Sequence, residues 1–262
     1  MTNSVYLHGL GIAAPGLEDW PTARAVLQGQ ACYTGEPLTP FRTRRLPRNE
    51  SRRAGAAVHL AFRVAEQAVA ERDASQFAAV FSSSAGDIDI ADQLCSAVNA
   101  PERAISPTRF HNSVHNAPAG YWSIATGSRE PMTSLSAGPG GFTVALQESW
   151  GLLLAHRAPV LLVCYDMDGH GMLAEARRDI GATFAMAWLL DSDATGALAR
   201  IGRPEPSHCV PTPVSIPALE SLRVANAGAR SLPLFAALAE AVPSTPVIES
   251  EQGRCQVPVT PL

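Results

Sequence analysis

The chain has 262 residues, 46% of them hydrophobic and 17% charged, with a formal net charge of −4. This is enough for one large or two small domains with a sizeable core, and the mild acidity argues against nucleic acid or anionic lipid as the main partner. No apolar run approaches the ~18 residues of a membrane span. The start, MTNSVYLHGLGIAAPG, lacks the basic-then-apolar pattern of a signal peptide, so cytoplasmic residence is expected.

In chain order, Val5–Ile12 is predicted as a strand and Asp19–Gly29 as a short helix with Ala23, Val26 and Leu27 on one face. A loop with Pro37, Pro40 and Pro47 follows, and its arginines Arg42, Arg44, Arg45 and Arg48 are expected to be solvated. Ser51–Asp73 carries apolar residues at helical spacing and is predicted as one long helix. Phe77–Ser83 reads as a strand opening into a Gly turn, and Ile88–Val98 as a helix. Asn116–Thr126 is predicted as a helix ended by Gly127. Met132–Ser136 is a short strand, Gly141–Ala155 an apolar helix, and Ala158–Tyr165 a buried strand without polar alternation. Ala182–Leu190 and Gly196–Ile201 are predicted to form a hairpin around Asp191–Thr195.

This alternation of strands and helices predicts a mostly parallel, layered α/β sheet. After Ile201, Pro204, Pro206, Pro211, Pro213 and Pro217 suggest a stiff linker. Leu232–Val242 then reads as a helix, and Pro246–Glu249 and Cys255–Val259 as a hairpin around Gly253. The five cysteines, Cys32, Cys95, Cys164, Cys209 and Cys255, are widely spaced and show no ligand pattern, so buried structural thiols are expected.

The most informative stretch is Ser106 to Phe142. Ser106-Pro107, Asn116-x-x-Ala119-Gly120, Gly127 and Pro131 fall at spacings that resemble the nucleophile region of the ketosynthase branch of the thiolase superfamily. The resemblance runs from Val5 to Ile201 and includes VYLHGLGIAAPG, the helix Arg52–Val69 and VFSSSAGD (Val80–Asp87). It implies an α/β, thiolase-like layered fold, truncated to about the N-terminal half of a β-ketoacyl synthase. Residues 1–201 would be the ketosynthase-like domain, and residues 202–262 a Pro-rich linker with a small C-terminal extension packing on it. A half-fold of this kind is expected to expose the apolar face that its missing half would cover.

A condensing enzyme needs a thiolate here to carry the acyl chain. The slot falls on Gly138 or Pro139 instead, and no catalytic residue is expected. Nothing after Ile201 resembles the second half, which carries the family's histidine pair and lysine. The run FHNSVHN-x-x-x-GYWSIATG (Phe110–Gly127) resembles the chain-length-factor-like ketosynthase homologues of aryl-polyene clusters. That resemblance implies a non-catalytic subunit paired with a full-length ketosynthase as a heterodimer. It would meet acyl carrier protein through the complex, during polyene or fatty-acid-like chain elongation. Pairing would run through Met132, Thr133, Ser134 and Leu135, and the wall of the partner's acyl tunnel through Phe110, His111, Asn112, Ser113, Val114, His115 and Asn116. No cofactor and no metal are expected.

The same residues carry weaker signals of other chemistry. His111 and His115 have the spacing of a metal pair on a helix, but no third ligand is near in sequence. Asp166-Met167-Asp168-Gly169-His170 is read as a solvated loop rather than a ligand loop. There is no G-x-S-x-G elbow for a hydrolase. Gly9-x-Gly11 is a weak dinucleotide signal and is read as a tight strand-to-helix turn. Gly138, Gly140 and Gly141 are read as small residues filling the space of a lost site rather than as a surviving oxyanion pocket. The alternative function is an acyl-binding or decarboxylating enzyme acting alone through His115 or Asn116.

Overall fold

The computed structural model describes residues 4–176, 180–250 and 253–262. Its centre is a seven-stranded sheet in the order β10-β6-β1-β5-β4-β2-β3, and a three-stranded sheet β7-β9-β8 stands beside it. The large sheet comprises β1 (Val5–Ala13), β2 (Ala78–Ser82), β3 (Met132–Leu135), β4 (Val160–Asp166), β5 (Phe184–Asp191), β6 (Ala199–Ile201) and β10 (Val259–Pro261). The small one comprises β7 (Glu205–Ser207), β8 (Val247–Ser250) and β9 (Gly253–Gln256).

The sheet is mixed, which corrects the expectation of a mostly parallel one. Only β2 pairs in parallel, with β3 and with β4, and the remaining contacts are antiparallel. The expected hairpin of Ala182–Leu190 with Gly196–Ile201 does not form, because β1 lies between β5 and β6 and pairs with both. The connection from Asp191 to Thr195 is still a built turn. Asp191 and Asp193 accept backbone N–H groups within it, and His8 on β1 lies 2.7 Å from the Asp193 carbonyl.

Ten α-helices are seen among the described residues: α1 (Trp20–Leu27), α2 (Arg48–Arg53), α3 (Ala56–Val69), α4 (Ile88–Asn99), α5 (Pro107–Asn112), α6 (Ala117–Thr126), α7 (Gly141–His156), α8 (Met172–Ala176), α9 (Pro217–Ala225) and α10 (Leu232–Glu240). The single helix expected over Ser51–Asp73 is two, α2 and α3, broken at Ala54–Gly55. A Cβ at Gly55 would stand 3.0 Å from the Asp87 carboxylate and 3.2 Å from Ile90, so close approach of α4 fixes the break at a glycine. The segment read as a plain linker contains α9, which starts on Pro217. Proline at the first helical position loses no hydrogen bond and has its φ preset. A hairpin forms here from β8 and β9, but Gly253 is part of β9, opposite Ser250, and Val259, expected in the same strand, belongs to β10 of the large sheet.

Two apolar clusters lie on the two faces of the sheet. One gathers α7, α9 and α10 over alternate residues of β1, β4 and β5, with Trp188 packed edge-on against Phe142 at 5.7 Å. The other gathers α3 and α6 over the opposite residues, with Phe62 edge-on to Trp122 at 5.1 Å. Helix α3 lies directly on β1 at Gly9 and Gly11, where a Cβ would overlap the carbonyls of Ala68 and Val64. The two glycines thus serve helix-on-strand packing inside β1, not the strand-to-helix turn expected from the sequence.

The outer side of α3 is not left as an open apolar face. Residues 37–47 form a strap across it, with Leu46 buried and Leu38 and Phe41 packed on the α3 cluster. Polar anchors hold the strap. Buried Arg63 pairs with Glu18 and donates to the Thr39 carbonyl at 2.7 Å. Thr43 donates to Glu66, whose carboxyl burial pushes up. Arg45 donates to the Ala70 carbonyl at 2.8 Å with its guanidinium 5.9 Å from the Trp122 ring, so this arginine is not simply solvated as expected; Arg42, Arg44 and Arg48 are exposed.

Candidate functional site

The site is set where β2, β3 and β4 end and α7 begins. After β3 the chain makes a tight turn at Gly138–Gly140, with Gly138 at φ +46° and Pro139 exposed, and enters α7 at Gly141. Gly140 and Gly141 are buried. A Cβ on Gly141 would stand 3.2 Å from Ser82 Oγ, which itself donates to the Gly141 carbonyl at 3.2 Å. No side chain capable of forming a thioester occupies the turn.

Cys164 on β4 is buried. Burial first, then the charge of Asp166, push its thiol well above the ordinary range, so it is a packing residue rather than a displaced nucleophile. Cys255 is also buried, whereas Cys32, Cys95 and Cys209 are exposed, contrary to the expectation that all five are structural. Brief alkylation of the native protein is expected to label these three cysteines and spare Cys164 and Cys255. Peptide mass spectrometry reads the outcome, and rapid labelling of Cys164 would reopen the question of a thiol nucleophile.

Asp166 closes β4 and is not part of a solvated loop, a further correction. Its Oδ1 accepts from Ser83 Oγ at 2.9 Å, Ser84 Oγ at 2.9 Å, the Ser84 N–H at 2.8 Å and the Ala85 N–H at 3.3 Å. Burial nevertheless raises its carboxyl above the ordinary value, which those donors only partly offset. Asp168 and His170, further along, are exposed, and the His170 ring faces Asp89 at 3.4 Å. Sequence reasoning missed Asp166 as a brace. The signal was a carboxylate ending an apolar strand, a position that demands donors.

The braced turn holds the segment from α5 to α6. His115 Nε2 lies 3.0 Å from the Ser83 carbonyl, and Tyr165 donates to the His115 carbonyl at 3.4 Å. Asn112 is buried and donates to the carbonyls of Arg53 at 2.6 Å and Thr108 at 3.0 Å, so its side chain works inside the chain. Helix α5 ends at Asn112, which leaves His111 on the helix and His115 beyond it. His111 stacks edge-on against Tyr121 at 6.0 Å. Phe110 is 63% exposed and Val114 49%, and both project an apolar surface. Ser113 is half-buried and Asn116 exposed, just before α6.

Strand β3 is the outermost strand on this side, and all four of its residues are half-buried. Its parallel register with β2 sets Val80 opposite Thr133. The Ala79 N–H donates to the Pro131 carbonyl at 2.9 Å and the Ser83 N–H to the Leu135 carbonyl at 3.3 Å. Residues 131, 133 and 135 therefore bond inward, and the backbone groups of Met132 and Ser134 point out from the sheet. The edge is open and carries unused donors and acceptors.

Among the described residues, no group of three or more His, Cys, Asp or Glu side chains is placed to hold a metal ion. Nor is any described helix long and apolar enough to cross a membrane.

A sheet of this order, with an interior helix on one face and a helix launched from the turn after β3 on the other, is the thiolase-like ketosynthase fold. The chain belongs to the family described as β-ketoacyl synthase, N-terminal domain, whose model matches residues 24–210.

Solved structures share the fold over nearly the whole chain. A ketosynthase (ApeO) in complex with its chain length factor (ApeC) from Xenorhabdus doucetiae matches with a TM-score of 0.70 and 22% identity, covering 97% of this chain and 99% of that one. The ishigamide ketosynthase/chain length factor matches with a TM-score of 0.72 and 14% identity, covering 98% of both chains. The AntDE:AntF assembly, a type II polyketide synthase acyl-carrier protein in complex with its ketosynthase bound to the hexaketide, gives 0.76 and 11% identity, covering 100% of both. No curated protein matches the sequence.

Proposed function

We propose that this chain is the non-catalytic, chain-length-factor-type subunit of a ketosynthase heterodimer. In this reading it completes and limits the acyl tunnel of an active partner while chains grow on acyl carrier protein in polyene or fatty-acid-like synthesis in the cytoplasm. Residues 1–201 form its ketosynthase-like part, and residues 202–262 an extension that returns β10 to the large sheet.

The observation that carries the reading is the turn Gly138-Pro139-Gly140, which starts α7 without a nucleophile beside an open strand edge. Support also comes from the fold, shared along the whole chain with members of complexes that join a ketosynthase to a chain length factor. The alternative of an independent acyl-binding or decarboxylating enzyme fares less well. Of its candidate residues, Asn116 is exposed, and His115 is fastened through Nε2 to the Ser83 carbonyl, which leaves Nδ1 alone to act.

Affinity purification of the tagged chain from its host is expected to bring down, in stoichiometric amount, a ketosynthase bearing a cysteine and two histidines. A chain recovered alone would overturn the reading. Exposed Phe110 and Val114 are then the part of the wall that reaches the partner's tunnel. Replacing Val114 by Trp is expected to shorten the products of the pair, since overfilling a packed tunnel costs about 1–3 kcal/mol, roughly five- to hundredfold against the longest chains. Mass spectrometry of the released acyl groups checks this, and an unchanged length distribution would remove Val114 from the wall.

A further inference from the structure

We infer that Glu148 is a partner-selecting residue: its carboxylate bars the open edge of β3 from pairing with a second copy of this chain and favours a subunit that presents a donor or cation there. The inference rests on the reading of β3 as the pairing edge and adds the reason why the pair is unlike rather than like.

The register leaves little freedom. Two copies joined antiparallel across a two-fold axis must exchange bonds between the groups that face outward, those of Met132 and Ser134. Pairing Met132 of one copy with Ser134 of the other uses the whole strand and places Thr133 on the axis. Thr133 then faces its own counterpart as a non-hydrogen-bonded pair, with Cα atoms about 4.5 Å apart.

Alternation fixes which side chains gather there. Leu135 packs into the cluster that contains Phe142 and Leu146 of α7, and Met132 into the opposite one. Thr133 shares the α7 side with Leu135 and donates to Glu148 of α7 at 3.2 Å. Among the described residues Thr133 hydrogen-bonds Glu148, and no cation pairs with it. Its helical neighbours Val144, Leu152 and Ala155 are apolar. A symmetric dimer would therefore bring two carboxylates together at its axis, neither paired with a cation of its own chain. A different subunit whose strand carries a donor or cation at this point meets one carboxylate and satisfies it, a case of specificity gained by excluding the wrong partner.

The test compares full-length wild type, Glu148→Gln, Glu148→Gln with Ser134→Pro, and the remote exposed control Glu102→Gln by sedimentation equilibrium. Proline at 134 removes an N–H that the chain itself does not use, so no hydrogen bond within the chain is lost while the edge is blocked. Glu148→Gln is expected to self-associate at least tenfold more tightly than wild type or Glu102→Gln, and Ser134→Pro to abolish the gain. Wild type dimerising through the edge as tightly as Glu148→Gln, or self-association that survives Ser134→Pro, overturns the inference. Capture of the ketosynthase by the single Ser134→Pro variant tests the pairing reading separately. Capture that persists undiminished sinks that reading, whereas lost capture with no effect of Glu148→Gln sinks the role of Glu148 alone.

Discussion

Arg223→Ala is expected to destabilise the folded chain by about 1.5–3 kcal/mol, the scale of hydrogen bonds to a charged group. Arg223 on α9 is only 4% exposed. Its guanidinium grips Glu220 with two bonds of 2.8 and 2.7 Å and lies 3.9 Å from Glu249 on β8, which Arg230 approaches at 3.5 Å. The network ties α9 and the turn before α10 to the small sheet, so its loss is felt in three elements. Urea denaturation measures the cost, and a loss below ~1 kcal/mol would show the pair behaving as a surface contact.

The same network carries a pH signature. The Arg223 hydrogen bonds hold the Glu220 carboxyl below its ordinary value of 4.5. A depressed carboxyl stabilises the fold fully above its unfolded value, and the contribution is lost as pH falls through the folded one. Stability should therefore drop as pH falls below about 4.5, and Arg223→Ala should flatten this part of the curve.

Gly9→Ala is the second large effect, expected at about 3 kcal/mol, the upper end for overpacked cores. The added methyl would enter the carbonyl of Ala68 in the last turn of α3, and a backbone group cannot swing away as a side-chain end would. The thermal midpoint should fall by several degrees, and an unchanged melt would mean that α3 slides on β1.

The buried strands and long helices were legible because their patterns are local. APVLLVCY could only be a buried strand, and Gly127 at φ +67° ends α6 where its sequence position suggested. Strand neighbours were not legible in the same way. Nothing local in Phe184–Asp191 or Ala199–Ile201 says that β1, nearly two hundred residues earlier, will come between them, so a hairpin was the natural expectation. The site divides similarly. The missing nucleophile is plain in Ser-Ala-Gly-Pro-Gly-Gly-Phe, whereas the brace at Asp166 and the place of Glu148 beside Thr133 depend on which strands meet.

The strap over α3 has a consequence for assembly. Because residues 37–47 cover that helix from within, this one face of the core is shielded by the chain's own residues. A subunit added at the β3 edge therefore meets a different side of the molecule from the one the strap closes. Contact confined to such an edge is an equilibrium set by the two concentrations and by the rate at which the subunits part.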